Sequence, residues 1–232
     1  MITKIVPDDI FTTQLQSGES RERPVHIIVG TNTEGVNTHW VAHHIGTRYN
    51  ANFQELLRAK GGTVELGHVF SHSGNLDGHQ RAMFHAVAVN KRLQAGGPQD
   101  WTELLASLKT GLENINLMQS IHDERDKIET DTPLIEQIAA LDPRKVDFPI
   151  QARRLTDAHI AATRRHFRVV LIGGADGQKN DADLEHTLQA LEETDLLVHL
   201  YLGHGAQRLA QAVNRVIPAI PALKDRNLLV TA

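Results

Sequence analysis

The residues best placed to do chemistry are glycines, acids and histidines that follow apolar runs. In Arg168-Val169-Val170-Leu171-Ile172-Gly173-Gly174-Ala175-Asp176-Gly177-Gln178-Lys179-Asn180-Asp181, an apolar run stops at a Gly/Asp cluster and a helical pattern begins behind it. That order predicts a buried strand whose end presents an Asp at a helix N-terminus. Open α/β sheets place their ligand sites at such strand ends. Gly203-His204-Gly205 repeats the arrangement after a second apolar run. Backbone N–H groups in the two turns could cradle a phosphate or a carboxylate. However, Gly-x-x-x-x-Gly-Lys-Ser/Thr is absent, and no complete Gly-x-Gly-x-x-Gly follows the first strand. Glycines after parallel strands also serve simply as turn formers.

Fourteen histidines raise the question of zinc. His39 and His43 lie one turn apart on a predicted helix and could face one ion. There is no His-Glu-x-x-His and no evident third ligand, so solvated or hydrogen-bonded histidines are expected. A serine hydrolase could be assembled from Ser71 or Ser73 with His204 and Asp176, which requires base and hydroxyl within hydrogen-bond reach. The Gly-x-Ser-x-Gly elbow that would expose a serine on a strained turn is missing, and polar loop residues are the expectation here.

The elements that must position these groups alternate. Val25–Val29 reads as a strand ending at Gly30. Val36 to Leu57 reads as a helix with Val36, Trp40, Val41, Ile45, Tyr49, Phe53, Leu56 and Leu57 on one face, stopped by Gly61-Gly62. Thr63–Phe70 alternates as a strand, and Arg81–Asn90 fits either an edge strand or a helix. After Gly96-Gly97-Pro98, Asp100 can cap a helix whose stripe is Trp101, Leu104, Leu105, Leu108, Leu112 and Ile115. The charged run 122–127 and Pro133, Pro143 and Pro149 mark an inserted excursion at about 116–150. A short helix near 155–165 leads to a strand at 168–172. A helix at 181–191, a strand at 195–202, a helix at 206–213 and a last strand at 228–230 follow. Residues 1–23 read as a polar lead-in, flexible at Ser17-Gly18-Glu19-Ser20, before a single domain at 24–232. The fold class is α/β, a doubly wound and mostly parallel central sheet flanked by helices.

Composition excludes several functions. A net charge of −4 argues against a general nucleic-acid binder. No window is apolar enough for a membrane span, and the N-terminus shows no signal pattern. With no cysteine there are no disulfides, thiolate metal sites or cysteine nucleophiles. The chain reads as soluble and cytoplasmic.

The order of these parts resembles a von Willebrand factor A-type (vWA) domain over roughly residues 24–215. The family's first-strand loop corresponds to Gly30-Thr31-Asn32-Thr33-Glu34, and the Phe-Ser that ends its second strand to Val69-Phe70-Ser71. Gly96-Gly97-Pro98-Gln99-Asp100, Gly174-Ala175-Asp176-Gly177 and Leu202-Gly203-His204-Gly205 stand in the places of its later loops. The metal-ion-dependent adhesion site is altered: Gly30 replaces the family's Asp, Asn32 and Glu34 its serines, and Gln99 its Thr, leaving Asp176 as the surviving carboxylate. The resemblance implies a non-catalytic protein–protein interaction module with a degenerate metal site. It would bind a protein partner at the C-terminal edge of the sheet through Thr31, Asn32, Thr33, Glu34, Ser71, Gln99, Asp100 and Asp176. No cofactor is expected, although Asn32, Glu34 and Asp176 with water could rebuild a site for Mg²⁺ or another divalent ion. The partner's identity and the oligomeric state are left open. The alternative is an α/β enzyme or binding protein for a phosphorylated or nucleotide ligand, using the glycine loops after the last parallel strands.

Overall fold

In a computed structural model of the protein, the structure describes residues 1–21, 23–33, 44–45, 47–48, 61–76, 80–90, 101–129, 165–170, 181–203, 206–226 and 228. The chain divides into two compact units: Met1–Ile115 with His166–Ala232, and Asn116–Arg165. The first unit holds six strands: β1 (Ile2–Val6), β2 (Val25–Asn32), β3 (Val69–Leu76), β4 (Gln80–Asn90), β5 (His166–Val170) and β6 (Leu197–Tyr201). They form one sheet in the order β1-β6-β5-β2-β4-β3. Every neighbouring pair is parallel except β3 with β4, which runs antiparallel with Ser71 opposite His85. Among the described residues, helices α1 (Trp101–Glu129), α2 (Asp181–Glu192) and α3 (Ala206–Val216) accompany the sheet, and Ile217–Ala219 adds a 3-10 turn. The fold is therefore α/β, with a mostly parallel sheet flanked by helices. Of the second unit, the part of α1 from Asn116 to Glu129 and Arg165 are described.

The sheet reads as it does because its central strands are apolar on both faces. β2, Val-His-Ile-Ile-Val-Gly-Thr-Asn, is buried at seven of its eight positions. Period-two alternation assigns Val25, Ile27 and Val29 to one face, level with Ala82, Phe84 and Ala86 of β4. These join Phe70, Leu76, Val170, Tyr201, Ile10, Phe11 and Ile45 in one core cluster. The other face carries His26, Ile28, His85 and Val87. Helix α1 approaches closely at Val87: a β-carbon at Gly111 would overlap the valine's γ-methyls. Gly→Ala in an exposed helix interior gains about 1 kcal/mol. Here a stiff β-branched neighbour cannot give way. Gly111→Ala is therefore expected to destabilise by about 1–3 kcal/mol, the cost of overpacking. Chemical denaturation of the variant, with and without Val87→Ala to make room, checks this.

Several expectations are met in place. The apolar stripe from Leu104 to Ile115 lies on α1, with Leu104, Leu108, Leu112 and Ile115 buried. α2 buries Leu184, Leu188 and Leu191, and Asp181 and Asp183 occupy its first turn, where the helix dipole favours acids. Others are corrected. Residues 2–6 of the expected lead-in form an edge strand parallel to β6. The strand expected at Thr63–Phe70 instead begins at Val69 and runs on to Leu76. Ser71, Ser73 and Asn75 are its exposed alternate positions, and that polar spacing reads as loop when the β4 partner is unknown. Arg81–Asn90 is a strand, but it lies inside the sheet between β2 and β3 rather than at an edge. The helix expected at 36–57 is described only at residues 44, 45, 47 and 48, which are helical; the excursion beyond 129, residues 155–164 of the expected short helix and most of 228–230 lie outside the described residues, and Arg165 is not helical.

Candidate functional site

Strand order locates the first candidate. After β2 the chain goes on to β3 and β4 on one side, whereas after β5 it goes on to β6 on the other. β2 and β5 are neighbours, so the direction of winding reverses between them. In an open α/β sheet the crevice outside the carboxyl ends of two such strands is where ligands sit. Thr31 and Asn32 are the last residues of β2 and Thr33 follows; all three are buried polar residues. The carbonyl of Thr33 accepts a hydrogen bond from Val64 N–H at 3.1 Å. Val170 ends β5, and the glycine-rich segment 173–177 begins three residues later in sequence.

Along the same edge, β6 passes into α3 through Gly203, which has φ +63°, a left-handed value that favours glycine. Its N–H donates to the Asp8 carbonyl at 3.2 Å, and Leu202 N–H donates to Val6 O at 3.0 Å, so the ends of β1 and β6 are tied together. The sequence-predicted positions thus divide. Thr31, Asn32 and Thr33 stand at the switch point. Ser71 stands elsewhere, inside β3. Glu34, Gln99, Asp100, Asp176, His204 and Gly205, like His39 and His43, lie outside the described residues. Among the described residues no group of three His, Asp or Glu side chains could hold a metal ion. No helix among them is long and apolar enough to cross a membrane.

Behind β5 lies a charged group that the sequence reading did not single out. Arg168, fully buried, points all five guanidinium N–H groups at partners. Nε and Nη2 donate to the Glu19 carboxylate at 2.8 and 2.6 Å, Nη1 to the carbonyls of Ile10 and Thr12 at 3.1 and 2.6 Å, and Nη2 also to Gln14 O at 3.2 Å. Its Cζ sits 5.3 Å from the Tyr201 ring centroid, and His199 Nδ1 lies 3.5 Å from Glu19 Oε1. Burial alone would raise the Glu19 pKa; hydrogen bonds from Arg168 and His199 and the Arg168 charge overcome it and hold the carboxyl at about 2. The segment expected to be flexible, Ser17-Gly18-Glu19-Ser20, is therefore clasped to the strand that leads into the glycine-rich run.

A second constellation crosses the other face. Ser71 Oγ lies 2.9 Å from His85 Nδ1, and His85 Nε2 lies 3.0 Å from His26 Nδ1. The two imidazoles are nearly parallel, at 6°, and both pack against Phe167. Ser71 is thus joined to His85, while the His204 and Asp176 that the sequence offered lie outside the described residues. His85 was not paired with Ser71 because Arg81–Asn90 fitted either a strand or a helix, and the register that sets Ser71 opposite His85 is a cross-strand property.

The fold is that of an α/β protein whose sheet reverses its direction of winding between β2 and β5. In fold the chain is similar to the macrodomain of Thermus aquaticus DarG, at 16% identity over 87% of this chain and 97% of that one, TM-score 0.43. It is also similar to the macrodomain of Mycobacterium tuberculosis DarG, at 20% identity over 87% and 97%, TM-score 0.40. A macrodomain of Oceanobacillus iheyensis, a single-residue mutant, matches at 14% identity over 94% and 93%, TM-score 0.47. No protein-family model matches the chain, and no curated protein sequence matches it. These likenesses assign no residue a role. They do correct the vWA resemblance, and with it the protein-interaction module and degenerate adhesion site drawn from it: the structural neighbours are macrodomains. The chain's own geometry agrees, because Val69-Phe70-Ser71 opens a strand where the resemblance needed one to end.

Proposed function

We propose that the chain binds a phosphorylated nucleotide ligand, of the class that includes ADP and ADP-ribose, in the crevice outside the carboxyl ends of β2 and β5. The observation that supports this reading is the reversal of winding between those two strands, with Thr31, Asn32 and Thr33 at one lip. The chemistry suits it. The sequence supplies two glycine-rich segments, 173–177 after β5 and Gly203-His204-Gly205 after β6. Glycine lets backbone N–H groups approach a pyrophosphate closely, and a helix start adds favourable partial charge. A buried amide such as Asn32 can donate and accept, which suits the edge of a base or a ribose hydroxyl.

The test is a melting-temperature and calorimetric titration with ADP-ribose, ADP, AMP and inorganic phosphate. Ligand at 100 times its Kd adds about 2.7 kcal/mol to stability. For a chain of this length that is roughly 5–10 °C in Tm. Diphosphate-bearing ligands are expected to give the shift, and His204→Ala, Gly205→Ala and Asn32→Ala to diminish it. No shift with any of the four compounds would refute the reading.

A further inference from the structure

The Ser71–His85–His26 row lies away from the proposed nucleotide crevice. His26 is the second residue of β2 and Asn32 its last, six residues or about 20 Å along the strand. The row has an ordered gradient of exposure: Ser71 is exposed, whereas His85 and His26 are 7% and 6% accessible. A serine hydroxyl at the surface thus hydrogen-bonds to a shielded imidazole, whose other nitrogen is held by a second imidazole. Nucleophilic serines are built this way: a base takes the hydroxyl proton, and a third group fixes the base's tautomer and orientation.

Proton bookkeeping allows the row to run in either direction. In one, His26 Nδ1–H donates to His85 Nε2, and His85 Nδ1–H donates to Ser71 Oγ. In the other, His85 Nε2–H donates to His26 Nδ1, which leaves His85 Nδ1 bare to accept the Ser71 hydroxyl proton. The second direction is the reactive one. When His85 then becomes an imidazolium, its Nε2–H already rests on the His26 lone pair, and the new charge is hydrogen-bonded on both sides. Phe167 against both rings limits their rotation. Ser73, two residues along the same exposed face of β3, lies opposite Met83 and has no such base across the ladder.

We propose that Ser71 is a histidine-activated nucleophile toward small electrophilic esters, with His85 as its general base and His26 as a positioning residue. With an acyl ester, Ser71 Oγ bonds to the carbonyl carbon as its proton passes to His85 Nδ1. His85 returns that proton to the leaving alcohol oxygen as the C–O bond breaks. Water repeats the sequence to release the acid. With a fluorophosphonate the O–P bond forms as the P–F bond breaks, fluoride leaves, and the adduct stays on the serine.

The experiment is fluorophosphonate labelling of the full chain, read by intact mass and peptide mapping across pH 5–9. One adduct on Ser71 and none on Ser73 is expected, with a rate that rises with pH as the base loses its proton. General-base assistance contributes about 10²–10⁴-fold. His85→Ala should therefore slow labelling at least about 100-fold. His26→Leu should slow it and move the pH midpoint downward, because the buried imidazolium loses its acceptor. His26→Gln, whose amide oxygen can replace that acceptor, should restore most of the rate. No adduct, equal labelling of Ser73, or a rate indifferent to pH would overturn the proposal. These last readouts need no variant, so they decide even if His85→Ala does not fold. Nucleotide binding is measured separately and can fail without affecting them.

Discussion

Arg168→Met alone is expected to lower the stability of the folded chain by about 3–5 kcal/mol, the cost of stranding one member of a buried ion pair. Arg168 has no exposure, and its five donors are all satisfied by residues 10–19, two of the bonds to Glu19 and three to main-chain carbonyls. Removing it leaves a carboxylate, shielded from water, and three carbonyls to find other partners. Glu19→Gln is expected to cost a comparable amount from the other side. The double replacement Arg168→Met with Glu19→Leu should cost much less than the sum, since no buried charge remains. The acid limb carries the sign of the interaction. The Glu19 carboxyl is held at about 2 in the fold, below its ordinary 4.5. Its contribution is thus fully present above about pH 4.5 and is lost as pH falls toward 2. Urea unfolding at pH 7 and pH 3 should show wild type losing much of this increment and Glu19→Gln losing less. Equal pH dependence in both would refute the assignment.

The clasp explains why the first twenty residues were misread. Ile2, Ile5, Val6, Ile10 and Phe11 are buried, yet polar residues and turn formers separate them, so no period of two or 3.6 emerges. Their burial is decided by β6 and Arg168, which lie more than 150 residues away in sequence. β2, β5, β6 and the three helices behave differently. Their patterns are local, and their existence and order were legible, with bounds within a few residues except at the end of α1, which runs to Glu129 where the sequence placed an excursion from about 116.

The candidate sites show the same division. That a strand ends near Gly30 was readable, but β2 runs past that glycine to Asn32, so Thr31 and Asn32 are strand residues where the sequence placed a loop. Which neighbour that strand has was not readable, because order in a sheet is a long-range property. The vWA resemblance followed the sequence of motifs and assumed the pairing. Ser71–His85 was hidden for a related reason: it is a cross-strand pair, set by the antiparallel register of β3 on β4. A residue in an unassigned segment has no face, and therefore no partner.

Phe84→Ala should be the most damaging single truncation in this sheet, at about 3–5 kcal/mol. Phe84 is fully buried on β4, level with Ile27 of β2 and His72 of β3. The size of the loss within that range depends on whether neighbours can collapse into the space. Several cannot: Ala82 and Ala86 flank it on its own strand, and Gly74 across the ladder leaves no room even for a β-carbon beside the ring, at 2.9 Å. Small side chains on paired strands have nothing to extend and a backbone fixed by the ladder. The cavity should therefore persist, dry and apolar, of the kind that takes up benzene. Benzene should partly restore the Tm of Phe84→Ala and leave wild type unchanged. The effect should also be local. β3 has β4 as its one neighbour in the sheet, so its amides should lose hydrogen-exchange protection before those of β2 and β5. Ser71 labelling should then fall in Phe84→Ala while nucleotide binding at the other side of β2 is retained. Uniform loss of protection across all six strands would mean that the sheet opens as one unit and that the two sites share a single stability.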